Sequence, residues 1–265
     1  MTDKTNQHTF VICAYQESEY LEECIRSLKN QTVRSKILLA TSTPNPMIEG
    51  LAEKYHIPVA VNKGEHGIVQ DWNYAYSQVS TPYVTIAHQD DIYMKKYAET
   101  VLAAMERSKR PLIAFCDYCE LRDGKFVLKN TLLRVKRLML SPLRLKAFQN
   151  RIWVRRRVLS MGSCICCPSV TFARENLPEV IFTTGFRSNE DWEAWERISR
   201  RKGQFVYIPQ ALMAHRIHSG SETSNIIQDN QRSEEDYQMF RKFWPGPVAK
   251  LITKIYSTSE KSNEL

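Results

Sequence analysis

The chain has 265 residues, with 37 Lys and Arg against 29 Asp and Glu, a net charge of +8 and a hydrophobic fraction of 43%. This composition excludes a disordered chain, and the length suffices for one large α/β domain, or one domain with a small appendage. No stretch approaches the roughly 18 apolar residues of a membrane span.

Residues Met1 to His8 are polar with no apolar core, so no signal peptide is expected and the cytosol is the expected compartment. Seven cysteines, an odd number, suit a reducing compartment better than a disulfide framework. Cys116 and Cys119, with Cys164, Cys166 and Cys167, invite a zinc reading. Cys116 and Cys119 fall inside an expected strand, where residues three apart point to opposite faces, so buried free thiols are the better account.

In chain order, Thr9 to Ala14 reads as a first strand and Glu19 to Asn30 as a helix, with Leu21, Cys24, Ile25 and Leu28 at helical spacing. Lys36 to Thr41 reads as a strand, Met47 to Tyr55 as a helix, Val59 to Asn62 as a short strand and Ile68 to Gln78 as a helix. Pro82 then starts a run of β-formers, Val84-Thr85-Ile86, that ends in Gln89-Asp90-Asp91. Strands alternating with helices at this spacing imply right-handed βαβ units and a mainly parallel sheet.

Two adjacent carboxylates at a strand's carboxyl end sit where open α/β sheets bind ligands. They repel unless a cation or a hydrogen-bonded partner balances them, and Mg2+ or Mn2+ takes such oxygen ligands. A solvated turn rich in Asp is the plain alternative.

Beyond this point Lys95 to Ser108 reads as a helix and Leu112 to Leu121 as a strand, with Asp123-Gly124 turning into Lys125 to Leu128 as a hairpin. From Gly124 to Arg174 there is no acidic residue, while Lys125, Lys129, Arg134, Lys136, Arg137, Arg144, Lys146, Arg151, Arg155, Arg156, Arg157 and Arg174 fall there. Leu132, Leu138, Leu145, Ile152, Trp153 and other apolar residues interleave with them, which predicts broken amphipathic helices around Pro142. Such a segment wants an anionic partner. Ser169 to Phe172 and Phe205 to Ile208 read as strands, Ser188 to Lys202 and Glu234 to Phe243 as helices, and the tail from Ser257 as frayed.

Four segments together resemble the inverting, metal-dependent glycosyltransferases of family 2, with the GT-A fold. They are Val11 to Glu17, His88-Gln89-Asp90-Asp91, Asn189-Glu190-Asp191-Trp192 and Arg216-Ile217-His218-Ser219-Gly220-Ser221. The resemblance runs from about Phe10 to Thr223. It implies a GT-A domain over 1–223, with a mixed, mainly parallel sheet flanked by helices and a basic helical insertion at about 124–162. A C-terminal helical extension and tail would occupy 224–265.

By the same resemblance Asp91 and His218 would hold Mn2+ or Mg2+, with Asp90 near the ribose or a metal-bound water. Ala14, Tyr15, Glu17, Thr41, Asn62 and Gly64 would contact the nucleotide. Asp191 would be the base that takes the acceptor's proton, and Glu190 would orient the loop or an acceptor hydroxyl. Mixed carboxylate–imidazole ligation suits Mn2+ somewhat better than Mg2+. Outside that frame, Glu190 and Asp191 read as acids at a helix N-terminus, and Trp192, Trp195 and Trp72 as packing residues.

The chain also departs from the family pattern. The strand that usually ends in acidic residues ends here in Ala40-Thr41-Ser42-Thr43, and His88 replaces the first aspartate of the Asp-x-Asp-Asp motif. An arginine often found before the equivalent of Asn73 is replaced by Asp71-Trp72.

The resemblance implies transfer from a nucleotide-sugar, a UDP-sugar in first place, to a glycan or lipid-linked glycan acceptor. The basic segment then suggests a peripheral enzyme of surface-polysaccharide assembly on the inner face of the cytoplasmic membrane. A nucleotidyltransferase is disfavoured because the Ala14-Tyr15-Gln16-Glu17 turn has no glycine. A nucleic-acid-binding protein is disfavoured because no such motif is present. The alternative retained is a catalytically silent protein that binds a nucleotide-sugar or an anionic polymer.

Overall fold

The structure is a computed structural model and describes residues 2–218 and 231–261. In chain order its strands are β1 (Thr2–Asp3), β2 (His8–Ala14), β3 (Val33–Arg34), β4 (Lys36–Thr41), β5 (Val59–Val61), β6 (Tyr83–His88), β7 (Ile92–Tyr93), β8 (Pro111–Arg122), β9 (Lys125–Val127), β10 (Val170–Ala173) and β11 (Gln204–Ile217). The helices are α1 (Leu21–Lys29), α2 (Pro46–Tyr55), α3 (Ile68–Ser77), α4 (Tyr97–Glu106), α5 (Thr131–Leu140), α6 (Lys146–Gln149), α7 (Ile152–Leu159), α8 (Glu190–Ser199), α9 (Gln231–Arg241) and α10 (Gly246–Lys261).

One sheet runs β5-β4-β2-β6-β10-β8-β11-β7, with β9 paired to β8. The pairs β2/β4, β2/β6, β4/β5 and β8/β11 are parallel; β10 is antiparallel to both neighbours, and β7 is antiparallel to β11. The expected mixed, mainly parallel sheet is therefore present. A separate small sheet pairs β1 with β3.

Strand β2 lies mid-sheet, and the unbroken apolar run Phe10-Val11-Ile12 is fully buried, as a strand covered on both faces requires. Helices α1, α2 and α4 bury Ile25, Ile48 and Leu102 in one core cluster, while α3, α8 and α9 bury Tyr76, Trp195 and Phe240 in the other. Trp192 and Trp195 are fully buried, in line with a packing role. All seven cysteines are free thiols.

A polar seam threads this core. His8 is buried and its Nε2 lies 2.9 Å from Thr85 Oγ1, which in turn lies 2.6 Å from Thr171 Oγ1. Tyr97 Oη then lies 3.1 Å from Thr171 Oγ1 and donates to the Ser169 carbonyl at 3.0 Å. Each polar side chain of this seam thus has a partner, as burial demands.

Three expectations change. The late strand is 14 residues long because it continues past a register shift near Ile208 and pairs with β8 as far as Arg122. The tail expected to fray from Ser257 is helical to Lys261, as the end of α10. The basic segment does form broken helices, but several of its cations turn inward. The Arg155 side chain is buried and donates through Nε to the Ser199 carbonyl at 2.7 Å, capping the end of α8. Arg137 pairs with Asp117 at 2.7 Å, and Arg156 pairs with Glu196.

Candidate active site

The carboxyl ends of the parallel neighbours β2 and β6 lie side by side, paired as far as Cys13 and His88, at the edge of the sheet where α/β folds form a ligand crevice. Gln89 closes its floor: its Oε1 accepts from the Tyr15 N–H and its Nε2 donates to the Tyr15 carbonyl, both at 3.0 Å. The next residue, Gln16, has φ of 55°, a left-handed conformation costly for a residue with a Cβ. Its N–H is held by Thr43 Oγ1 at 2.6 Å.

Asp91 is completely buried because β7 begins directly after it and pairs with Met213 and Ala214 of β11. That pairing brings the following residues of β11 over the carboxylate. The Arg216 N–H donates to Asp91 Oδ1 at 2.9 Å, and His215 Nδ1 lies 3.0 Å from the same oxygen. The Arg216 side chain donates from Nε to the Asp90 carbonyl at 2.8 Å and pairs with Glu23. His218 Nε2 lies 3.2 Å from Asp90 Oδ2 and its ring lies 5.0 Å from that of Tyr20. Ser219, Gly220 and Ser221 of the same motif lie outside the described residues.

Two buried atoms here make no hydrogen bond, Asp91 Oδ2 and His88 Nε2. One ligand atom from each of His88, Asp90 and Asp91 lies within 4.8 Å of the others. An unpaired buried carboxylate oxygen and an unpaired imidazole nitrogen are costly to leave unsatisfied. A divalent cation between them satisfies both, so the residues fit a metal of the Mn2+ or Mg2+ kind. His88 stacks on Trp72 with centroids 5.2 Å apart and planes at 21°, which fixes its ring. Burial lowers the His88 pKa against the pull of Asp91 and Asp90, which favours the neutral imidazole that a metal needs.

At the carboxyl end of β4, Thr41 is buried and its Oγ1 accepts from the Thr43 N–H at 3.0 Å. Asn62 is buried too; its Oδ1 accepts from the Gly64 N–H at 3.0 Å and its Nδ2 donates to Asp71 Oδ1 at 2.7 Å. Ser42 donates to Asp71 Oδ2 at 2.7 Å. Helix α3 therefore delivers a carboxylate to the end of β4, which carries none itself. Ala14 is buried at the end of β2, whereas Tyr15 and Glu17 are exposed.

Glu190 and Asp191 form the first turn of α8. Glu190 is buried, whereas Asp191 keeps part of its surface open and accepts from the Trp192 N–H at 2.6 Å. Burial raises the Asp191 pKa to about 6, opposed by the Trp192 amide and by the charges of Lys136 and Arg232. The loop before α8 is pinned twice. Asn73 of α3 accepts from the N–H groups of Ile181 and Phe182 at 3.1 and 3.0 Å. Glu235 of α9 accepts from the N–H groups of Arg187 and Ser188, each at 2.8 Å.

Between the two halves lies Lys136 of the basic insertion. Its Nζ donates to Tyr118 Oη at 3.1 Å, and its charge acts both on Asp191 and on His215, the partner of Asp91. Sequence reasoning places His88 and Gln89 within the Asp-x-Asp-Asp-like segment but gives neither a role, and it meets Asp71 and Asn73 only as a departure from the family pattern. Lys136 reads there only as one cation of the basic segment.

Comparison with known proteins gives the family. The model of the family described as "Glycosyl transferase family 2" matches residues 9–159, more than half of the chain. An "Uncharacterized glycosyltransferase" of Haemophilus influenzae is 24% identical over 243 residues, covering 83% of this chain and 68% of that protein. Among solved structures, S. aureus TarS 1-349 in complex with UDP-GlcNAc aligns with a TM-score of 0.62 at 14% identity, over 97% of this chain and 73% of that one. The mannosyltransferase PcManGT of Pyrobaculum calidifontis, in complex with GDP-Man and Mn2+, aligns with a TM-score of 0.63 at 12% identity, over 100% of this chain and 78% of that one. The protein is a glycosyltransferase of family 2 with the GT-A fold.

Proposed function

We propose that this enzyme is an inverting, metal-dependent transferase that moves a sugar from a nucleoside diphosphate, in first place a UDP-sugar, to a hydroxyl of a glycan or lipid-linked glycan. The observation that carries the reading is the pair of unpartnered buried atoms, Asp91 Oδ2 and His88 Nε2, clustered with the carboxylate of Asp90. His88, Asp90 and Asp91 would hold the ion. His218 stays on Asp90 as a positioning partner or enters coordination with it. When bound, a divalent cation supplies Lewis-acid stabilisation of the departing diphosphate.

The chain's own groups do the rest. Asp91 is held through Oδ1, which leaves Oδ2 without a hydrogen-bond partner beside His88 and Asp90. Asp71, braced by Ser42 and Asn62, offers an acceptor to a base whose edge carries an N–H, as uracil and guanine do and the ring nitrogen of cytosine does not. Asp191, ionised above about pH 6, takes the proton of the attacking acceptor hydroxyl, and Glu190 beside it orients the acceptor. Direct attack on the face opposite the leaving group gives inversion.

A lipid-linked acceptor places the enzyme at an anionic membrane surface, met through the basic segment, in surface-polysaccharide assembly. Among the described residues no helix is long and apolar enough to cross a membrane. The test is calorimetric binding and donor hydrolysis with a panel of UDP-, GDP-, dTDP- and CMP-sugars, with and without Mn2+, beside Asp91→Ala. Metal-dependent binding of one nucleotide class, abolished in Asp91→Ala, is expected. Silence across the panel with folded protein overturns the reading in favour of a catalytically silent binding protein.

A further inference from the structure

The C-terminal helix α10 is not part of the crevice, yet its surface is unusual. Its Ala249, Ile252 and Tyr256, spaced three and four apart, pack onto the protein, and Ala249 is fully buried. Val248, Leu251 and Ile255 follow the same spacing on a neighbouring stripe and are exposed, Leu251 by 61% and Ile255 by 64%. Lys250 and Lys254 flank that stripe, and no acidic residue occurs between Gly246 and Tyr256.

This stripe continues into the basic insertion. At Gly162, with φ of 142°, a Cβ would lie 2.7 Å from the Tyr256 ring and 3.5 Å from Met139 Cε, so α5, the end of α7 and α10 meet there. Trp244 also donates from Nε1 to the Ser160 carbonyl at 2.9 Å, and the Arg157 guanidinium lies 4.5 Å from the Trp244 ring. Next to these junctions stand further exposed apolar side chains: Leu138 of α5 at 73%, Trp153 of α7 at 68% and Met161 at 50%. Nine of the fourteen large hydrophobic residues exposed among the described residues fall within 131–162 and 246–261. Exposed cations surround them, Arg134, Arg151, Arg157 and Lys250 among others, without one acidic side chain from either segment through Tyr256.

We propose that α10, together with the exposed faces of α5 and α7, is the element that seats this protein on an anionic bilayer, with Leu251, Ile255, Leu138 and Trp153 entering the headgroup boundary. This deepens the membrane reading given above and rests on it, but moves the apolar anchor to a helix outside the basic segment. Clustered apolar side chains on a monomer's surface mark an interaction site. Lys and Arg interleaved with Trp and Leu, with no acidic residue in 131–162 or 246–256, match an interfacial helix on anionic lipid better than a protein partner, whose contact core is depleted of charge. Position agrees as well. Tyr256 lies 6.2 Å from Trp192, the residue after the candidate base, so the face borders the side of the crevice that a lipid-linked hydroxyl must reach.

The test is co-sedimentation of the full chain with vesicles of phosphatidylcholine alone or mixed with phosphatidylglycerol, at about 0.15 M salt. The variants are Leu251→Ser/Ile255→Ser and, separately, Arg134→Gln/Lys250→Gln. Nucleotide binding serves as the folding control, since none of these residues touches the crevice. Binding only to the anionic vesicles is expected, weakened about tenfold or more by the double serine variant. The double glutamine variant should weaken it about fivefold per charge removed. The Trp fluorescence of the wild type should shift to the blue on binding and lose most of that shift in Trp153→Phe.

Absence of vesicle binding by the wild type overturns both this proposal and the membrane reading. Binding left intact by Leu251→Ser/Ile255→Ser overturns the role of α10 alone. A concentration-dependent dimer broken by the same variant, without vesicle binding, overturns it in favour of contact between copies. Loss of nucleotide binding in Asp91→Ala is read separately, so failure of the catalytic reading is distinguishable.

Discussion

The main-chain N–H of Arg216 donates a 2.9 Å hydrogen bond to Oδ1 of Asp91, across 125 positions of sequence. It ties the last strand of the sheet to the acidic turn after β6. It also fixes which carboxylate oxygen stays free, since His215 bonds the same Oδ1 and Oδ2 is left without a partner. Asp91→Asn keeps an acceptor for the Arg216 amide but loses the charge at the free position. The fold should survive, with an unchanged melting curve. Metal-dependent nucleotide binding should weaken by at least about tenfold, and chelation of the metal from the wild type should have a similar effect. Wild-type binding by the Asp91→Asn protein would remove Asp91 from the metal site.

Asp191 titrates near neutrality because burial raises its pKa to about 6. A base is active when ionised, so turnover should rise with pH through about 6 and flatten above it. Asp191→Asn should lower kcat about 10²- to 10⁴-fold while leaving nucleotide affinity unchanged. The nearby Lys136 charge opposes the rise. In Lys136→Met the Asp191 pKa should therefore move up, and the acid limb of the pH–rate profile with it. An unmoved limb would separate Lys136 from the base.

Asn73 clamps the loop that leads into α8, through two accepted hydrogen bonds and one 2.8 Å bond donated to the Phe182 carbonyl. Asn73→Ala leaves three partly buried backbone groups unsatisfied. It should cost about 2–3 kcal/mol in chemical denaturation. Because the same loop leads into α8, whose first turn carries Asp191, kcat should fall more than nucleotide affinity.

His8 is buried inside the sheet, and burial lowers its pKa to about 3 from an ordinary 6.5. Its folded form stays neutral between these values while the unfolded chain takes up a proton. Stability is therefore full above about pH 6.5 and falls as the pH drops through this window, by about 1.4 kcal/mol per pH unit from this group. Denaturant midpoints at about pH 7, 6 and 5 measure the slope, and His8→Gln should flatten it.

Much of the fold was legible because its signals are local. The Val84-Thr85-Ile86 run, the spacing of Leu21, Cys24, Ile25 and Leu28, and the Asp123-Gly124 turn each depend on a few neighbouring residues, and each element lies where it was expected. The length of β11 was not legible. Its second half is a strand because β7 and β8 flank it, past Pro209 and the register shift that interrupts the ladder there. The inward turn of Arg155 was equally hidden, because it answers carbonyls at the far end of α8 that no local pattern announces.

The sequence by itself determined the alternation of strands and helices, and the places of Asp90 and Asp91 at a strand's end and of Glu190 and Asp191 at a helix start. That much follows from local patterning; the family and the roles it implies for these four residues follow from the resemblance of the four segments. Only the tertiary structure decided which atoms are left open. Asp91 Oδ2 and His88 Nε2 are free because β11 satisfies Oδ1 from 125 residues away and Trp72 stacks the imidazole in place. Hydrogen-bond satisfaction is a property of everything packed around a group, and a linear chain does not contain it until the sheet has closed.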